Sequence, residues 1–224
     1  MSLELSGTTP AIKGVAGSVS APALTGDDAD TGISFPSANT IKFSTNGVER
    51  MSITNSGVSG ITAGITEADT WFLTSSFNGD VDPISNNLSR LTLHGVNYLG
   101  TGMSVSSGVW TFPSTGFWRI TVKFRSTRAS GTQSQWQRIF IKSTVNNSAY
   151  NPIAIADSNY FDNYSASARN VSGSASIIFD CTNTSTHKIK FATGVQDNSG
   201  NSNQFIGSSS EAITTFEFIK LADT

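Results

Sequence analysis

The stretch Gly108–Arg125, GVWTFPSTGFWRITVKFR, is the densest apolar run in a chain otherwise dominated by Ser, Thr, Asn and Gly. Val109–Phe112 and Phe117–Phe124 read as two short strands separated by Pro113-Ser114-Thr115-Gly116. Proline fixes its own φ near −65° and glycine tolerates positive φ, so the spacer has the chemistry of a turn. Beyond it, Trp118, Ile120, Val122 and Phe124 fall on one side of a strand, with Arg119, Thr121, Lys123 and Arg125 on the other. The pattern predicts the central hairpin of an antiparallel β domain.

Composition agrees with an all-β chain. Hydrophobic residues make up 37% of the 224 positions and charged residues only 13%, below the roughly 45–50% (a figure that also counts Gly) and about 25% of ordinary globular chains. Ser, Thr, Asn and Gly take their place, which suits short strands and many turns. The 14 Phe and 4 Trp argue against a disordered chain. A net charge of −2 leaves no electrostatic footprint for nucleic acid. The single Cys181 excludes an internal disulfide framework, and its apolar neighbours predict a buried thiol. No basic and apolar leader opens MSLELSGTTPAIKG, and no run approaches a membrane span, so a soluble product without membrane insertion is expected.

Working outward, residues 1–35 are small and aperiodic and cannot fold alone. Asp27, Asp28 and Asp30 beside Gly26 and Gly32 could hold calcium, but the later Glu of a calcium loop is missing and a solvated turn is favoured. In Thr40–Thr45 and Val48–Ile53, alternating runs flank Asn46-Gly47, a strong hairpin signal. Residues 57–66 read as a linker. From Glu67 onward the candidate strands are Thr70–Ser75, Ser89–Leu93, Trp136–Lys142, Ala175–Asp180, Lys188–Val195 and Ile213–Leu221. Polar loops are expected at Thr127–Gln135, Asn146–Asn170 and Gln196–Ser210. The expected organisation is an N-terminal, hairpin-containing attachment segment (1–60), a linker (61–69) and a jelly-roll sandwich (70–224).

The last strand, ITTFEFIKL, is apolar on both faces, with Phe216 and Phe218 on one and Ile213, Ile219 and Leu221 beside Glu217 on the other. One face serves the sandwich core. The other needs a cover, and a second copy of the chain is the simplest.

GVWTFPSTGFWRITVKF resembles the Gly–apolar–Phe–x–x–Pro–x–x–Gly–aromatic–aromatic hairpin of complement-type and tumour-necrosis-factor-like jelly rolls. ITTFEFIKL resembles their closing strand, and SGSASIIFDCTNTSTHKIKF the strand pair before it. The resemblance covers roughly Thr66–Asp223 and implies a compact, non-enzymatic homotrimer packed through its inner sheet. It makes Trp118, Ile120, Val122, Phe124, Phe216, Phe218 and Ile219 the expected core and trimer-packing residues. Trp118, where a smaller aromatic is common, and the long 146–170 segment depart from the pattern.

SVSAPALTGDDADTGISFPSANTIKFSTNGVERMSI, Ser18–Ile53, is similar to segments of bacteriophage tail-fibre proteins, in which three chains intertwine. ITEADTWFLTSSFNGDVDPI is similar to heads of marine phage fibre-like proteins. These resemblances imply a virion location, with other tail or capsid proteins as partners of the N-terminal segment. A capsid cement (decoration) protein is one alternative, and a glycan-degrading tail protein is a further, less favoured one.

Enzyme chemistry finds little footing. His94 and His187 sit in no metal-ligand spacing, no G-x-S-x-G elbow is present, and Asp80 and Asp82 in NGDVDPI read as turn formers rather than as a glycosidase pair. No cofactor or metal is expected. Tyr150, Tyr160, Phe161 and Tyr164, set among Asn and Asp, suit stacking on a host-surface glycan or protein. They equally suit anchoring a long loop onto its own domain, and that reading is preferred.

Overall fold

The computed structural model describes residues 16–60, 64–128, 136–159, 169–196 and 203–224, and among these described residues seventeen strands and one short 3-10 turn form, with no α-helix. The chain divides into two units, residues 1–63 and 64–224.

The first unit is a five-stranded antiparallel meander in sequence order: β1 (Leu24–Thr25), β2 (Gly32–Ser34), β3 (Ile41–Thr45), β4 (Val48–Thr54) and β5 (Gly57–Ser59). Asn46 and Gly47 have φ of 51° and 67°, the left-handed pair that a tight β3–β4 hairpin requires. The expected linker begins too early. Gly57–Ser59 pairs with β4, Val58 lying opposite Ile53, because the backbone of this small-residue run adds a strand its side chains do not advertise.

The second unit contains β6 (Ala68–Leu73), β7 (Phe77–Asn78), β8 (Leu88–Arg90), β9 (Ser104–Ser106), β10 (Val109–Thr111), β11 (Gly116–Arg128), β12 (Trp136–Thr144), β13 (Asn151–Asn159), β14 (Arg169–Cys181), β15 (Lys188–Val195), β16 (Asn203–Phe205) and β17 (Thr215–Ala222). One sheet runs β13-β12-β15-β10-β9. The other runs β7-β16-β11-β17-β6-β8, with β14 on the free side of β11. Every pairing is antiparallel, and the two sheets enclose one core. This is a jelly-roll sandwich.

The expected central hairpin is not one. β10 pairs with β9 and β15, whereas β11 pairs with β14, β16 and β17. Pro113–Gly116 therefore carries the chain from one sheet to the facing one. Both strands keep their apolar sides inward, so Phe112 meets Trp118 across the sandwich rather than across a ladder, and Trp110 and Phe124 join the same core.

Alternation along β11 is complete: Trp118, Ile120, Val122 and Phe124 are buried, and Arg119, Lys123 and Arg125 are exposed. Trp110 sits at the middle of the core, with ring centroids 5.0 Å from Phe218, 5.1 Å from Trp71 and 5.8 Å from Phe191. Aromatic pairs at such separations add to the stabilisation that area burial alone provides. One buried carboxylate joins this apolar set. Asp69 accepts hydrogen bonds from Trp71 Nε1 (2.8 Å), Arg90 Nε (3.1 Å) and the Met103 amide (2.8 Å), and Arg90 donates onward to the Met103 carbonyl. The network fixes the strand-poor approach to β9 against β6.

Three further expectations change. The segment 146–170 is not all loop, because Asn151–Asn159 forms edge strand β13 on β12. Pro152 is tolerated there beside a register shift at the sheet edge, where its missing N–H is not needed. The segment 196–210 contains β16, which bridges β7 and β11. Strand β14 starts at Arg169, well before Ala175, its small residues pairing with the full length of β11.

Candidate functional site

Catalytic geometry does not assemble from the candidate residues. His187 has Nε2 3.2 Å from Thr182 Oγ1 and Nδ1 3.1 Å from Thr186 Oγ1, and so is satisfied by its neighbours. His94 lies in the exposed 3-10 turn at a φ of 52°. Asp80 accepts the Val195 amide at 2.7 Å and Asp82 accepts Lys142 Nζ at 2.5 Å. Each carboxylate is thus spent tying the 79–84 segment to the β12–β15 sheet.

The acidic turn is similarly self-contained. Asp28 accepts from Thr31 Oγ1 at 2.6 Å and from the Asp30 amide at 3.4 Å. The Thr31 hydroxyl holds the Asp28 carboxyl below its usual value, while a side-chain hydrogen bond with Asp28 raises that of Asp30. Among the described residues no group of three metal-ligating side chains gathers.

Of the four recognition aromatics, Tyr160, Phe161 and Tyr164 lie outside the described residues. Tyr150 is half-buried. Its hydroxyl donates to Asn147 Oδ1 at 3.3 Å, and Lys190 Nζ sits 3.9 Å from its ring centroid. Burial pushes the phenol pKa up. This is the geometry of a loop anchor.

What the second unit presents instead is an uncovered sheet face. Trp118, Ile120, Val122, Phe124, Phe216 and Phe218 all point into the sandwich, whereas Ile219 lies on the outward side of the same sheet. On that side Arg119 stands between Ile178 of β14 and Ile219 of β17. Ile178 is 67% exposed, Leu221 44% and Phe117 39%, which makes an apolar patch at one end of the face. Arg119 Nη2 donates to Glu217 Oε1 at 3.0 Å, so the ion pair with Glu217 closes within the chain.

The other end of the face carries two cations. Lys123 and Arg125 border a shallow depression of about 600 Å³, floored by Ser172, Gly173 and Ser174 and bounded by Ile213 and Asp157. The sequence marks both residues as outward-facing. It could not show the depression, which arises because β14 carries only small side chains where it lies against them.

No protein-family model matches this chain, and no curated protein matches it in sequence. Solved structures do match. Eiger TNF from S. frugiperda superposes with a TM-score of 0.52 at 9% identity, over 72% of this chain and 96% of that one. Murine APRIL at pH 5.0 gives a TM-score of 0.47 at 9% identity, over 69% of this chain and 98% of that one. The second unit is a tumour-necrosis-factor-like jelly roll. The likeness is one of fold, and the jelly roll's sheets, with β14-β11-β17-β6 on one side and β13-β12-β15-β10 on the other, are the two layers of that architecture.

Proposed function

We propose that the protein is a non-enzymatic, homotrimeric structural protein of a bacteriophage particle, a fibre or fibre-like appendage. In this reading the segment 1–60 docks to other tail or capsid proteins of the virion and the jelly roll forms a distal head available to a host-surface glycan or protein. The observation that carries the oligomer is the outward face of β14-β11-β17. Ile178, Phe117 and Leu221 lie exposed together there on a regular sheet surface, in a unit whose polar surface elsewhere is rich in Ser, Thr and Asn. Exposed apolar surface of this kind marks an interaction site. The jelly-roll fold supports a trimer, and the Ser18–Ile53 resemblance to tail-fibre segments supports the virion.

Light scattering on the full chain tests the oligomer, with a mass of three chains expected. Ile178→Lys combined with Leu221→Lys should release monomers that keep the wild-type β spectrum. A wild-type monomer at micromolar concentration would refute it. Immunogold labelling of particles tests the location: label along the tail supports the fibre, label over the capsid makes the protein a decoration protein, and no label refutes the virion reading.

A further inference from the structure

The first unit has an amphipathic sheet without a core. Cross-strand register places Leu24, Ile33, Phe43 and Met51 in one row and Ile41, Ile53 and Val58 in the next. Side chains two apart share a face, so both rows, with Phe35 beyond Ile33, lie on a single side of the meander. The other side carries Ser34, Ser44 and Ser52, all three buried, with the Lys42–Glu49 ion pair. Among the described residues of this unit no Val, Leu, Ile, Met or Phe is buried. Val58 is 59% exposed, Leu24 44%, Phe35 41% and Ile53 38%. The side of the sheet left in water is therefore the apolar one, and small buried serines on the other side contribute little to offset the entropy of ordering the strands.

We infer that this apolar face is covered by the same face of other copies of the chain, so that the N-terminal sheets of the oligomer share one core. Three features favour this occupant. Both rows are free of charged and polar side chains, so the surface they complement is itself apolar, and an identical face supplies one. Their combined exposure amounts to an apolar patch on the order of 500 Å² per copy, at the upper end of what a monomer usually shows. Two such faces together bury about 1,000 Å², the threshold of a specific interface.

The third feature is the tether. Only residues 60–67 separate β5 from β6, a reach of about 30 Å at full extension. Any association of the jelly rolls therefore holds the N-terminal sheets at millimolar effective concentration. This last point rests on the homotrimer proposed above.

Hydrogen exchange on the full chain, read over residues 24–59 beside the mass from light scattering, tests the inference. Ile53→Lys with Val58→Lys charges the apolar face at positions a free sheet would leave in water, so a sheet without a cover should tolerate the change. Glu49→Lys is the matched control on the polar face. The expected result is protection of β3 and β4 in the wild type and in the control, lost by at least about 100-fold in the double variant. If the variant stays trimeric, the jelly-roll interface and the inference both stand. If it falls to monomers, the inference stands and the oligomer is held by the N-terminal face instead. Protection unchanged by the two lysines, or a wild type unprotected over 24–59, overturns the inference whatever the mass. A monomeric wild type overturns both.

Discussion

Replacing Trp118 with Ala is the sharpest probe of how the jelly roll is built. The side chain is 1% exposed, its ring lies 5.3 Å from that of Phe112 on the facing sheet, and Nε1 donates to the Ser114 carbonyl at 3.3 Å. Removing a buried tryptophan typically costs about 3–5 kcal/mol. The Phe112 contact contributes roughly 0.5–1.5 kcal/mol of that, and the long indole hydrogen bond adds little, so about 4 kcal/mol is expected. For a unit of this size the loss lowers Tm by roughly 8–16 °C. Urea unfolding followed by circular dichroism, at fixed protein concentration, reads it as a shifted midpoint at unchanged slope. Trp118→Phe keeps a ring against Phe112 and should cost about half as much. Lys123→Ala, on the outward side of the same strand, should stay within about 0.5 kcal/mol. A Trp118→Ala variant destabilised by less than about 1 kcal/mol, with Lys123→Ala costly, would mean the strand faces the other way and would refute the account of the core.

Asp69→Ala strands the Trp71 N–H, the Met103 amide and the Arg90 guanidinium, and should cost about 3 kcal/mol in the same assay, the half-exposed Arg90 softening the penalty. Gly173→Ala places a methyl 2.6 Å from the Phe124 ring and 2.8 Å from the Asp157 carbonyl, so thermal unfolding should show a loss of about 1–3 kcal/mol, whereas Ser172→Ala beside it should be silent. Cys181 is fully buried and its burial raises the thiol pKa above the usual range. Alkylation by iodoacetamide at pH 8 should therefore be at least about 100-fold slower in the native protein than in urea. A comparable rate would place the thiol at the surface.

Side-chain alternation and turn chemistry were legible in the sequence; partner identity was not. Asn46-Gly47 declares its hairpin because the tight turn needs positive φ at both positions, which Asn and Gly adopt more readily than other residues. Pro113–Gly116 uses the same vocabulary to change sheets. A turn that doubles back and one that crosses the sandwich both need a rigid entry and a permissive exit, and both preserve an inward apolar face. Only the distant strands that flank β10 and β11 decide between them. Strand β13 hid behind Pro152 and its polar flanks, and the first half of β14 behind VSGSAS, in which Phe124 and the Asp157 carbonyl leave no room for a side chain at Gly173. The exposed face of β14-β11-β17 was half visible. The doubly apolar ITTFEFIKL announced it, but Ile178 joins Ile219 across Arg119 only through a register that no local pattern encodes.

The pairing of β6 with β17 sets Ala68 beside Ile219 and Phe72 beside Thr215. The first and last strands of the jelly roll are thus neighbours in the middle of one sheet. The unit closes on itself like a clasp, and the clasp joins its two extremes of sequence. Until β17 arrives, β11 and β6 both present open edges, so the sheet cannot be completed piecemeal and its formation waits on a contact spanning nearly the whole unit, the condition for slow folding. The same adjacency gives the strands a mechanical sense. Ala68 opens β6 at the end where β17 finishes, so a load applied between the two ends of the unit meets their ladder one hydrogen bond at a time. A head on a stalk that had to bear such a load would peel from this seam first.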